Sequence, residues 1–214
     1  MLRFDFNTII FLFAVIIGAI TIHEFSHAFT AYLMGDMTAK RLGRVTLNPI
    51  AHMDPLGTIM MIVTLMGGVG IGWGKPVPVN PYNLRGNPKT SMAIVSFAGP
   101  ASNLLTAIFL AALLNLGMIP PATFAIRGVL LAINISVVLA VFNLIPLPPL
   151  DGFSVLLGLL PDRHAYSLSR LGNYGPGVLL ALIFGGYMLH INFLGMILGP
   201  PVDGILNLLI GRMF

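Results

Sequence analysis

Residues 7–34 hold one charged side chain, Glu24, which is the only glutamate in the 214-residue chain. At about 1.5 Å per residue, a helix over this run reaches about 42 Å, enough to cross a bilayer with some tilt. A carboxylate inside such a span is expensive, and ionisable residues there mark functional sites. Glu24 stands within His23-Glu24-Phe25-Ser26-His27, the pattern H-E-x-x-H. On a helix, positions i and i+4 share a face, so both imidazoles can grip one Zn²⁺. Glu24 follows the first ligand, where a carboxylate serves as general base toward water. The bland reading is a chance match on a helix; in an apolar span, at the only glutamate, it carries little weight.

The remaining composition fits lipid as solvent. The chain is 57% hydrophobic and only 8% charged, with mean hydropathy +0.93, against about 25% charged residues in soluble domains. A soluble core of this size could not hide so much apolar surface. The formal net charge of +4 then reads as membrane topology, since Lys and Arg collect in cytoplasmic loops. With no basic surface interleaved with aromatics and no phosphate loop, nucleic acid is not an expected partner. Cysteine is absent, which excludes disulfides and thiolate ligands. No cleavable signal peptide, repeat or appended soluble domain is expected, and residues 1–214 read as one integral-membrane domain.

The expected fold class is an all-α polytopic membrane protein, with about four full transmembrane spans plus a re-entrant segment carrying a short β element. The spans cover residues 7–34, 91–118, 124–142 and 176–198. Asp54-Pro55 should cap and open a helix in an apolar run over 56–72 that is broken late by Gly67, Gly68 and Gly70. That run is expected to return to its own side. Only then do Lys40, Arg41, Arg44, Lys75, Arg85, Lys89, Arg163 and Arg170 share one side, with Arg3 and Arg212 opposite and Arg127 near a span end. Depth gives the same answer. His23 and His27 lie toward the far end of the first span and Asp151 toward the far end of the third. They share a depth only if the two spans run the same way, which one full crossing between them achieves and two would not. Residues 73–81, rich in proline, read as an extended segment or a hairpin arm, with Val77 and Val79 alternating; the bland alternative is an ordinary interfacial loop. A second Pro pair, Pro200-Pro201, is expected to end the last span ahead of an interfacial tail over 202–214.

A catalytic zinc usually takes three protein ligands. Asp151 sits in Leu147-Pro148-Pro149-Leu150-Asp151-Gly152, where prolines unwind a helix in a stretch otherwise without charge. Zn²⁺ would satisfy that carboxylate, giving a His23, His27, Asp151 site; the bland alternative is a helix cap. His52 reads as structural or as lining a substrate channel, and His164 and His190 have no polar company at ligand spacing.

His23-Glu24-Phe25-Ser26-His27, the Leu147–Gly152 motif and Gly99-Pro100-Ala101-Ser102-Asn103 between them resemble the site-2 protease family of intramembrane zinc metalloproteases. The likeness covers nearly the whole chain. It implies His23, His27 and Asp151 as zinc ligands and Glu24 as the base. It also implies Asn103 and Asn143 beside the active site, supporting the substrate backbone or the oxyanion, and a re-entrant β element. Physically, a preorganised amide can stabilise a developing oxyanion, although Asn in membranes also commonly joins helix to helix. The chain departs from larger members in lacking an inserted PDZ or CBS domain.

The expected function is an intramembrane zinc endopeptidase that cleaves transmembrane segments of other membrane proteins. It would sit in the lipid bilayer, in a prokaryotic cell (inner) membrane, with its site open to the cytoplasm. A related alternative is cleavage of loops near the bilayer surface. The alternative from another class is a membrane metal transporter or metal-binding protein. A transporter calls for more ligands and an exit path, whereas a hydrolase calls for a non-ligating carboxylate beside an open metal position.

Overall fold

The structure, a computed structural model, describes residues 6–66 and 72–211. Among these residues the α-helices are α1 (Phe6–Leu33), α2 (Thr38–Arg41), α3 (Pro55–Leu65), α4 (Pro88–Asn115), α5 (Thr123–Asn143), α6 (Asp151–Leu159), α7 (Asp162–Ser169), α8 (Gly175–Leu189) and α9 (Phe193–Ile210). One sequence device recurs at the starts. Asn48-Pro49, Asp54-Pro55, Asn80-Pro81 and Asn87-Pro88 each put an Asx side chain at the N-cap and Pro at the first helical position. The cap oxygen takes an orphan backbone N–H while Pro, which has none to offer, presets φ. Asp54 accepts from the Gly57 N–H at 2.8 Å, so the expected start of α3 is observed.

Helices α1, α4, α5 and α9 are long and apolar enough to cross a membrane. Their packing is the reverse of a soluble core. Ala19, Ala28, Ala31, Ala107, Ala111 and Ala140 are buried, with Ser96, Ser136 and Asn103, while Leu105, Ile108 and Phe109 point outward. Between helices in lipid there is no hydrophobic drive, so small residues that let backbones approach closely carry the association. Ala107, Ala111 and Leu114 of α4 meet Ile133 and Val137 of α5 and Val202 of α9.

Helix α3 has 11 residues, about 16 Å at 1.5 Å per residue, roughly half of a bilayer core. Gly72 lies against Met61 midway along it; a Cβ at Gly72 would stand 2.4 Å from the Met61 Cβ. Gly74 then forms an antiparallel bridge with Met53, just before α3 begins. Gly74 therefore lies back beside the start of α3. Gly67, Gly68 and Gly70, expected to break the run, lie outside the described residues, as do Arg3 and Arg212.

Two expectations are corrected. Among the described residues no strand forms, and the Met53–Gly74 bridge is all that stands for the short β element. Pro76, Pro78 and Pro81 have no N–H to give, and the Arg44 side chain occupies the carbonyls of Lys75 and Pro76. The bridge therefore does not continue within the chain, while the backbone of Val77 and Val79 is left without a backbone partner among the described residues. The last span is also misplaced. The helix that starts near residue 176 stops at Leu189, where His190 turns left-handed with φ 54° and the Ile191 N–H bonds back to Gly186 at 2.9 Å. Asn192 then caps α9, accepting from the Gly195 N–H at 2.8 Å. The fourth long helix is α9, and it runs through Pro200 and Pro201 instead of ending there. Each proline deletes a backbone bond, but Val202, Leu198 and Ile205 pack on the α4–α5 pair on both sides of them. Tertiary packing outweighs the local breaker.

The loops after α1 and before α4 are tied together at one end of the bundle. Asp36 is fully buried and accepts from Thr38, from the Asn80 N–H at 2.7 Å and from the Asn83 amide at 3.1 Å. Burial pushes its carboxyl up, but these hydrogen bonds outweigh it and hold the group below the usual carboxylate range. Lys89 donates to the Leu160 carbonyl and to Asp162, each at 2.6 Å. The cations at 40, 44, 75, 85, 89 and 163 therefore gather at one end, and Arg127, in the first turns of α5, stands at the other.

Candidate metal centre

Helix α1 presents His23 and His27 one turn apart toward α4 and α6, and both are buried. Asp151 opens α6. The N-cap is Leu150, and the hydrogen bonds of the Asp151 carboxylate go to His23 and His27, so the helix-cap reading of this carboxylate does not describe it. Its Oδ2 lies 3.0 Å from His23 Nε2 and 3.2 Å from His27 Nε2. The tight turn before it requires Gly152, where a Cβ would stand 2.2 Å from the Leu144 carbonyl oxygen. The motif's prolines unwind the chain and its glycine lets it fold back, which brings a residue 124 positions downstream of His27 onto the α1 face.

The three residues can each offer one ligand atom, all within 4.8 Å of one another. In a tetrahedral site with bonds near 2.0–2.1 Å, ligand atoms lie about 3.4 Å apart. The donor set therefore fits a metal ion such as zinc. Two further observations agree. His27 Nδ1 donates to the Val95 carbonyl at 2.7 Å and so turns Nε2 toward Asp151, the outer-shell arrangement that orients a ligating imidazole. Gly99, one turn along α4 from Val95, clears the space: a Cβ there would be 2.3 Å from His27 Nε2 and 2.7 Å from His23 Nε2. Helix α4 thus orients one ring and makes room for both.

Glu24 is half-buried and is not among the three converging ligands. It faces Gly74, where a Cβ would lie 3.6 Å from Glu24 Oε1. The two asparagines are not hydrogen-bonded to the metal set. Asn103 is buried and its amide donates to the Ala19 carbonyl at 3.4 Å, one turn from His23. Asn143 bonds back within α5 to the Leu139 carbonyl at 2.9 Å. His52 is buried but bonds to the Thr46 carbonyl at 2.8 Å, away from the cluster, and His164 and His190 are exposed.

Sequence reasoning missed Arg44, counted there only as a topological charge. It is buried, and burial lowers its affinity for the proton while the charge of Glu24 opposes that effect. It also missed the Val95 carbonyl, which leaves no signature in the residue type.

The chain is similar to the Bacillus subtilis protein named "Putative zinc metalloprotease YwhC", with 40% identity over 189 residues that cover 84% of each chain. It is also similar to the proteins named "Putative zinc metalloprotease Rip2". The Mycolicibacterium smegmatis one is 35% identical over 168 residues, 77% of this chain and 63% of the relative. The Mycobacterium tuberculosis H37Rv one is 33% identical over 167 residues, 77% and 62%. The chain spans a little under two thirds of the length of Rip2. No family model matches it, and no solved structure matches it. With two histidines and an aspartate brought together in the fold and 40% identity across most of YwhC, the chain belongs to the family that YwhC and Rip2 represent, whose members carry the name of zinc metalloproteases.

Proposed function

We propose that this protein is an intramembrane zinc endopeptidase of the site-2 type, one domain that cleaves transmembrane segments of other membrane proteins. The observation that carries the reading is the convergence of His23, His27 and Asp151 at the edge of helices long and apolar enough to cross a bilayer, with Glu24 beside them and outside the ligand set. When bound, the ion supplies Lewis acidity toward water and the scissile carbonyl. Glu24 takes a proton from the attacking water and passes it to the leaving amine as the C–N bond breaks. Asn103 and Asn143 are proposed to support the substrate backbone or the oxyanion, reached by rotation of their amides from the carbonyls they now hold.

The cationic end of the bundle is the cytoplasmic side by the positive-inside rule, so the site opens to the cytoplasm of a prokaryotic cell (inner) membrane. A transmembrane substrate must lose local helicity to expose a carbonyl. The extended backbone at Val77 and Val79, which has no backbone partner among the described residues, is the template it would pair with.

Glu24→Gln separates this function from metal transport. The purified variant should keep about one Zn²⁺ per chain and lose cleavage by about 10²–10⁴-fold, because an amide cannot accept the proton. Normal cleavage by this variant, in detergent or in proteoliposomes, sinks the assignment.

A further inference from the structure

The buried Arg44 guanidinium has no place in the zinc chemistry. It is 5% exposed and lies outside the spans, in the loop after α2. Its Nη1 donates to the Pro76 carbonyl at 3.1 Å and its Nη2 to the Lys75 carbonyl. Nη2 also lies 3.4 Å from His52 Nδ1. His52, 1% exposed, places Nε2 2.8 Å from the Thr46 carbonyl. A carbonyl can only accept, so Nε2 carries the proton and Nδ1 is the acceptor turned to Arg44. The His52 main chain closes the knot by accepting from the Lys75 N–H at 2.8 Å. Lys75 is therefore gripped on both sides, its N–H by His52 and its carbonyl by Arg44.

This knot is costly. A guanidinium out of water must be fully paired to break even, yet the Nε of Arg44 is buried with no hydrogen-bond partner. Stability alone does not account for such a group. Its effect is positional. The residue next to the gripped Lys75 is Gly74, whose α-carbon faces Glu24 and Ile20; a Cβ there would meet Ile20 Cγ2 at 2.8 Å and Glu24 Oε1 at 3.6 Å. On the other side follow Val77 and Val79, with backbone groups unpaired among the described residues.

We propose that Arg44 and His52 are positioning residues for peptide cleavage. Together they fix the backbone of residues 74–76 beside Glu24 and so set where the edge at 77–79 offers its hydrogen bonds to an extended substrate. This rests on the protease reading above. Lysine is not a substitute at Arg44, because one ammonium cannot reach two carbonyls and an imidazole in a fixed fork.

The test compares wild type, Arg44→Lys, His52→Ala and Glu24→Gln in proteoliposomes with a transmembrane substrate. Zinc content is measured in each. A nitroxide on Val77→Cys, in a chain with no native cysteine, reports the motion of the edge independently of chemistry. Arg44→Lys and His52→Ala are expected to keep zinc, to mobilise the nitroxide, and to raise KM about tenfold with a smaller change in kcat. An unchanged nitroxide spectrum overturns the proposal whatever the assay shows. So does unchanged KM with a mobile edge, and so does loss of zinc in step with cleavage, which marks a role in folding alone. Failure of the protease reading looks different: Glu24→Gln cleaves like wild type, or wild type does not cleave, and the inference falls with it.

Discussion

The two halves of α4 make different kinds of contact. The first half, around Ala93, Ser96, Gly99 and Asn103, faces α1 and α6 and encloses imidazoles, an amide and a carboxylate. The second half, with Ala107, Ala111 and Leu114, meets α5 and α9 through carbon, apart from Asn115 at its end, whose amide donates to the Leu209 carbonyl at 3.1 Å. Both use small residues to bring helices close. In the first half hydrogen bonds and close approach fix position together, with a Cβ at Gly99 falling 2.3 Å from His27 Nε2, so an added methyl has nowhere to go. Around Ala107 and Ala111 in the second half only volume must be conserved, and the contact can relax.

Gly99→Ala is the sharpest way to break this comparison. Its Cβ would sit 2.3 Å from His27 Nε2, so the ring must leave the ligand position. Zinc content should fall to about a tenth or less of the wild-type value, and cleavage should fall with it. Retained zinc, by metal analysis of the purified variant, would mean that the two halves are equally soft.

Ile133→Ala tests the dry half. Lipid is as apolar as the interior, so little transfer energy is lost and the cavity term dominates, roughly 1–3 kcal/mol. Unfolding in detergent should report that loss while zinc content stays at wild type. Loss of metal would show that the halves are mechanically one.

Asn103→Ala has the smallest expected effect on stability, about 0.5–1.5 kcal/mol for one interhelical hydrogen bond. Activity sharpens the reading. A cleavage loss beyond about tenfold with zinc retained supports a role at the oxyanion; cleavage that follows stability alone leaves Asn103 as a tie between α4 and α1.

The polar half was the more legible in the sequence. His23, Glu24 and His27 announce themselves by spacing, and Asp151 by being a carboxylate among prolines. Asp54-Pro55 announces the start of α3 because the cap is a local interaction. What was not legible depends on main-chain atoms far away in sequence. The Val95 carbonyl that orients His27, the Lys75 and Pro76 carbonyls held by Arg44, and the Ala19 carbonyl taken by Asn103 could belong to any residue type. The end of α8 was missed for a related reason. His190 adopts a left-handed conformation that glycine usually marks, so a continuous apolar pattern hid two helices. At Pro200-Pro201 the strongest local signal was overruled by packing.

The order in which the ligands occur along the chain bears on synthesis. The ribosome delivers His23 and His27 first, and Asp151 only after another 124 residues beyond His27. Until α6 has emerged and docked on α4, the nascent protein holds a pair of imidazoles and no third donor. A membrane protease of the proposed kind is therefore born inert, and competence comes with the completed bundle. A copy truncated before α6 lacks the third donor of the proposed site. The distance between the donors along the chain thus ties the proposed activity to completion of the chain through α6.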